Sequence, residues 1–194
     1  PADDRGHLLH IGGGQWYKNT AGVIRLYAHY AARHASPPPL LMVSPPPRSA
    51  EVLAALACVP QQGTVIFKQG LSNAAIQAAY ALAHVFLFPS LAEGFGWPII
   101  EAQACGCPVL TTDDAPMNEI GGPAAHYLPL LRPSMDIDQW ARAGSDTIEE
   151  MIKAGAASNA ALIKQRMDWA AQFTQQRAID AYERIYRSIV EEAR

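Results

Sequence analysis

The sequence predicts a doubly wound α/β sheet of about six parallel strands, and three observations carry that prediction. Short apolar runs alternate with amphipathic helical stretches as far as Leu128. One of those runs, Val85-Phe86-Leu87-Phe88, is apolar throughout, as expected of a strand buried on both faces. And 49% of the 194 residues are hydrophobic against 17% charged, enough for a substantial core and too apolar for a disordered chain.

Each element has its own signal. His7–Ile11 reads as a first strand, followed by the turn Gly12-Gly13-Gly14. Asn19 or Thr20 can cap a helix whose Val23, Leu26, Tyr27 and Tyr30 share one face. Ser36-Pro37-Pro38-Pro39 stops that helix before a second strand, Leu40–Val43. Pro45-Pro46-Pro47 leads into a helix near Arg48–Ala57, and Thr64–Lys68 is a third strand ended by Gly70. Ser72 caps a helix over Asn73–Ala83, which leaves His84 just ahead of the apolar fourth strand. Pro98 suits the first turn of the next helix and Gly106 terminates it. Pro108–Thr111 and Ala125–Leu128 are the fifth and sixth strands, and from Asp136 onward the pattern is helical, with Trp140, Trp169, Tyr182 and Tyr186 expected in helix packing.

Composition excludes several classes. A net charge of −3 gives no reason to expect nucleic acid as a partner. The first ninety residues carry six Lys/Arg against three Asp/Glu, a mildly positive half that suits phosphates or is plain solvated surface. Three cysteines build no disulfide framework, which points to a reducing, cytoplasmic setting. Cys105-Gly106-Cys107 lacks a second ligand pair at metal spacing and reads as small buried residues. No run of eighteen apolar residues is present, so no transmembrane segment is expected, and peripheral attachment at the inner membrane face stays open. The start at Pro1, without initiator methionine or signal sequence, reads as an excised piece.

In doubly wound sheets ligands bind in the loops beyond the carboxyl ends of the strands, and two of those loops are chemically unusual. The first is Gly12-Gly13-Gly14-Gln15-Trp16-Tyr17-Lys18-Asn19. Its glycines allow close backbone approach, the following helix N-terminus favours an anion, and Lys18 stands ready for a phosphate. Neither a GxGxxG fingerprint nor a Walker loop is present, and a glycine turn with a solvated lysine fits the loop equally well. The second loop holds Glu93, Gly94, Phe95, Gly96, Trp97, Pro98 and Ile99 before Glu101. A carboxylate can grip a vicinal diol through both oxygens, as a ribose or hexose presents it. For Glu101 favourable placement near a helix N-terminus is an alternative; Glu93, in an apolar loop, has none.

The pair Glu93-x7-Glu101, with Glu-Gly-Phe-Gly at its head and Pro-Ile-Ile-Glu-Ala at its tail, resembles the signature of family 4 glycosyltransferases. Leu87-Phe88-Pro89-Ser90, Ala104-Cys105-Gly106-Cys107-Pro108-Val109, Pro116-x-x-Glu119 and Gly12-x5-Lys18-Asn19 agree with it. The resemblance implies a GT-B fold of two Rossmann-like domains. Residues 1–194 would be the single C-terminal domain that binds the nucleotide sugar, and the N-terminal acceptor-binding domain would be its partner. It implies a retaining, metal-independent hexosyltransferase that uses a nucleoside-diphosphate sugar as substrate and no cofactor, the isolated piece being inactive. Glu101 would bind the ribose and Glu93 the sugar hydroxyls. The amides of Phe95, Gly96, Trp97 and Ile99 would serve sugar and diphosphate, Lys18 would neutralise the leaving diphosphate beside Gly12, Gly13 and Gly14, and the base would rest near Phe67–Leu71. Many relatives carry arginine where this chain has Gly13, so the glycine backbone and Lys18 must act without it. Gln175 stands where relatives place tryptophan, and the family's last helix crosses back onto the other domain, so some of its apolar face would be left exposed here.

Two rivals differ in class: a non-catalytic binding module that keeps the fold, and a dinucleotide-binding domain, which the missing GxGxxG disfavours. Asp113-Asp114 suits a loop and capping role better than a metal, and His10, His84 and His126 read as structural histidines.

Overall fold

The computed structural model describes residues 6–156 and 160–192. Six parallel strands form one sheet: β1 (His7–Ile11), β2 (Leu40–Val43), β3 (Val65–Lys68), β4 (Ala83–Phe88), β5 (Val109–Thr112) and β6 (His126–Leu128). Their order is β3-β2-β1-β4-β5-β6, so successive crossovers run outward in opposite directions from the β1–β4 junction. That junction is the topological switch point, where the two flanking loops part and leave a crevice.

Helices cover both faces, and the pleat assigns alternate strand residues to each. Leu8, Val85 and Leu87 pack with α1 (Thr20–Ala31), α2 (Ala50–Ala57) and α6 (Ile137–Ala156) through Val23, Leu26, Ala55, Trp140 and Ile148. Leu9, Phe86 and Phe88 face α3 (Asn73–Ala81), α4 (Trp97–Ala104), α5 (Met117–Gly121) and α7 (Ala160–Ala170) through Tyr80, Ile99, Met117 and Ala170. The expected face of α1 is buried in full: Val23, Leu26 and Tyr27 are inaccessible and Tyr30 nearly so.

Three local expectations need correcting. The helix over Asn73–Ala83 stops at Ala81, because Ala83 is already paired with His7 of β1 and fully buried; His84 therefore lies inside β4 rather than ahead of it. Pairing with a neighbouring strand overrides helix propensity in an alanine-rich stretch that carries no breaker. The five-residue α5 went unforeseen, being too short to show a helical period. Tyr182 and Tyr186 do not pack: they lie on α8 (Gln175–Glu192), a helix that buries no residue, and are 63% and 66% exposed. Ile179, Ile185, Ile189 and Val190 share that exposure, which leaves an apolar stripe without a partner among the described residues. No helix of the described residues is long and apolar enough to cross a membrane.

Candidate functional site

Both unusual loops leave the sheet at the switch point, one after β1 and the other after β4. The first opens with the glycine turn, tightens into a single 3-10 turn at Trp16–Lys18 and enters α1 through Asn19. Asn19, and not Thr20, is the cap. It adopts the left-handed conformation (φ 52°), accepts from the Gly22 amide at 3.2 Å and donates its side-chain amide to the Pro89 carbonyl at 3.0 Å. One side chain thus starts the helix and ties its loop to the end of β4. A second tie, from the Leu91 amide to the Tyr17 carbonyl, spans 2.7 Å. Thr111 and Thr112 of β5 donate their hydroxyls to the Phe88 and Ser90 carbonyls at 2.8 and 2.7 Å, so the exit of β4 is braced from its other side.

On this frame the two loops bring Lys18 and Glu93 together. The ammonium donates to Glu93 Oε1 at 2.7 Å, with the side chains only 13% and 8% exposed. It also stands 4.6 Å from the Phe88 ring centroid and 5.5 Å from that of Tyr17, where aromatic faces attract a cation without accepting a hydrogen bond from it. Glu101 does not join the pair. It sits exposed on α4 and accepts the Tyr80 hydroxyl at 3.1 Å. Burial, reinforced by the Glu101 carboxylate beside it, holds the Tyr80 phenol far above its ordinary range. Glu101 lies beyond the first turn of α4, which contains no acidic residue, and the macrodipole acts mainly within that turn. Placement near a helix N-terminus therefore explains Glu101 poorly.

The glycines differ in what they offer. The Gly12 amide is already given to the Val43 carbonyl at 3.1 Å, whereas Gly13 and Gly14 have no backbone acceptor among the described residues. A Cβ on Gly12 would stand 2.7 Å from His10 Nε2, so the turn lies directly on that histidine. His10 is wholly buried, shares a hydrogen bond between Nδ1 and the Leu87 carbonyl at 2.9 Å, and has no partner for Nε2. Burial lowers its pKa to about 4, with the Lys18 charge adding in the same direction and the Leu87 carbonyl opposing. His10 is interior, but it lies directly under the turn and only Nδ1 is partnered, so it is not the fully satisfied histidine expected. In the second loop Gly96 takes φ 99° as the cap of α4, and the Ile99 amide donates to its carbonyl at 2.9 Å. Ile99 thus has no free amide in this state, while those of Gly94, Phe95 and Gly96 find no acceptor among the described residues. The Phe95 and Trp97 rings lie 4.8 Å apart, and Trp97 is 58% exposed.

Among the remaining candidates, Asp113 accepts from the Asn118 side chain at 3.1 Å, a loop-bracing role. Cys107 is buried and Cys105 partly so. A cleft of about 560 Å³ opens on the α1/α2 side of the glycine turn, lined by Gly13, Gly14, Trp16, Pro46, Arg48 and Phe67 among others. It is lined by neither Glu93 nor Glu101, and it meets the two site loops at Gly13, Gly14, Gln15, Trp16, Asn19 and Leu91. Sequence reasoning missed Tyr80, the bridging role of Asn19 and the place of His10 beneath the glycine turn, at which only a second histidine within β1 hinted.

The chain matches the family model described as glycosyl transferases group 1 over residues 2–162. It is 29% identical over 135 residues to the O-antigen chain mannosyltransferase B of Escherichia coli, covering 69% of this chain and 34% of that protein. To the D-inositol 3-phosphate glycosyltransferase of Mycobacterium avium it is 30% identical over 132 residues, covering 66% and 29% respectively. The chain thus spans about a third or less of the length of these relatives. In fold it is similar to a glycosyltransferase from Rickettsia africae (TM-score 0.73, 17% identity, 96% of this chain and 48% of that one). The pneumococcal O-GlcNAc transferase GtfA, solved with UDP and GlcNAc, is likewise similar (TM-score 0.71, 16% identity, 95% and 37%). A motif-bearing switch point on a six-stranded parallel sheet and a family match over most of the chain lead to one conclusion: this chain belongs to the group 1 glycosyl transferases.

Proposed function

We propose that this chain is the donor-binding domain of a retaining family 4 hexosyltransferase, which moves a hexose from a nucleoside-diphosphate sugar to an acceptor hydroxyl without a metal. The observation that carries the reading is the meeting of Lys18 and Glu93, one from each loop, at the crevice of the sheet. A cation for the departing phosphates and a carboxylate for sugar hydroxyls are what such a transfer needs side by side.

In this reading Glu101, oriented by Tyr80, holds the ribose diol through its remaining acceptor sites. The amides of Gly13 and Gly14 approach the diphosphate in place of the arginine that many relatives carry, and those of Gly94, Phe95 and Gly96 serve the sugar. As the anomeric bond breaks, its electron pair leaves with the diphosphate, and Lys18 stabilises the growing charge. Ile99 acts by packing its fully buried side chain beneath the loop, since its amide is engaged. An N-terminal domain supplies the acceptor and closes the crevice against water. The apolar stripe of α8 suits docking onto that domain.

The experiment is a thermal-shift and calorimetric screen of the 194-residue chain with UDP, GDP, ADP, their hexose conjugates, and NAD. One nucleotide series is expected to stabilise the fold, and NAD is not. Binding of NAD in preference to every diphosphate overturns the proposal.

A further inference from the structure

We infer that Glu93 makes this site discriminate a sugar-bearing nucleotide from the bare diphosphate, by holding Lys18 until sugar hydroxyls take its place. The inference rests on the donor-site reading above and adds a coupling between its phosphate and sugar subsites.

Three observations carry it. Lys18 and Glu93 are hydrogen-bonded at 2.7 Å and are both largely withdrawn from solvent. Lys18 has no other anionic partner among the described residues, and its remaining neighbours, Phe88 and Tyr17, are ring faces. The loops that carry the pair are tied to each other by the Leu91–Tyr17 and Asn19–Pro89 hydrogen bonds, so partners exchange by side-chain movement.

Breaking a mostly buried ion pair strands whichever charge is left without a partner. A bare diphosphate recruits Lys18 and leaves Glu93 desolvated with no donor. A nucleotide sugar recruits Lys18 to its phosphates and offers hydroxyl donors to Glu93, so both charges stay compensated. The diphosphate alone therefore bears a cost that the glycosylated donor does not. After transfer the sugar is gone, the pair re-forms, and the product diphosphate is released.

The test is calorimetric titration of the parent chain, Glu93→Gln, Lys18→Ala and the double variant with UDP, GDP, ADP, UDP-glucose, GDP-mannose and ADP-glucose. In the accepted series the parent should bind the sugar conjugate several-fold more tightly than its diphosphate. Glu93→Gln should tighten diphosphate binding about tenfold and weaken the conjugate, which reverses the preference. On the Lys18→Ala background the Glu93→Gln gain should vanish. A diphosphate that binds Glu93→Gln no better than the parent overturns the inference while leaving the donor site intact. An equal gain on both backgrounds overturns it too, since simple repulsion between Glu93 and phosphate then explains the effect. Should Glu93→Gln fail to fold, a parent that prefers the bare diphosphate is sufficient refutation. A parent that binds none of the six ligands removes the donor reading and this inference together.

Discussion

Glu101→Gln isolates the proposed ribose contact. The substitution keeps size and shape but replaces an ionised acceptor with a neutral amide. Glu101 is exposed and accepts the Tyr80 hydroxyl at 3.1 Å, so Gln can keep that bond through its carbonyl oxygen and fold stability should hardly change. A charge-assisted hydrogen bond to a ribose hydroxyl contributes about 1–3 kcal/mol, so nucleotide affinity should fall roughly 5- to 150-fold. Tyr80→Phe provides a graded companion. It removes the donor that orients Glu101 but leaves the ring packed against Phe86 at 5.2 Å, and should weaken binding by about 0.5–1.5 kcal/mol. Calorimetry with the accepted nucleotide and with its 2′,3′-dideoxy analogue reads both effects. The analogue should bind parent and Glu101→Gln alike. Equal affinity of parent and Glu101→Gln for the natural nucleotide would refute the ribose assignment, as would an equal loss with the dideoxy analogue.

Other consequences follow from the same geometry. The pKa of His10 falls from 6.5 to about 4 on folding, so the unfolded chain takes up the proton first as pH drops. Its contribution to stability is intact above pH 6.5 and lost on the way down to about 4, some 1.4 kcal/mol per pH unit and on the order of 3 kcal/mol in all. His7 and His126 shift in the same direction, so the measurement is the difference in acid slope of denaturant-derived stability between parent and His10→Asn, whose amide can replace the Nδ1 donor; identical slopes refute it. Gly96→Ala puts a side chain at φ 99° and its Cβ 3.3 Å from Ile99 Cδ1. It should lower stability by about 1–2 kcal/mol and donor affinity with it, and an unchanged melting temperature speaks against the strain. Joined to the proposed N-terminal acceptor domain, the chain should transfer hexose as fast in EDTA as without it, whereas the 194 residues alone should transfer none. Half a cleft forfeits the proximity term, and loss of activity in EDTA contradicts the metal-free chemistry.

The strands were legible because each is a short apolar run between strong breakers, as with Leu40–Val43 between two proline triplets. Where no breaker stood, at Ala81 to Ala83, pairing with β1 decided the boundary, and a partner 76 residues away leaves no local mark. The site was legible as two loops because glycines, Lys18 and the spaced glutamates are unusual beside apolar strands. Contacts within it were not: Lys18 and Glu93 are 75 residues apart, Tyr80 and Glu101 21, and no periodicity links them. Exposure on α8 was half legible, since its apolar stripe has the period of a packed helix and only the tertiary structure shows nothing against it.

The glycine turn borders both the Lys18–Glu93 pair and the cleft lined by Pro46, Arg48 and Phe67, which also reaches Asn19 and Leu91. The amide chemical shifts of the isotope-labelled chain, followed during titration with the stabilising nucleotide sugar, separate them directly. Perturbed signals are expected at Gly13, Gly14, Lys18, Glu93 through Trp97 and Glu101, and at Phe67–Leu71 where the base would rest, with Ser49, Glu51 and Val52 left unmoved. Shifts confined to Ser44 through Val52, with Glu93 through Trp97 silent, would contradict the claim that this switch point holds the donor.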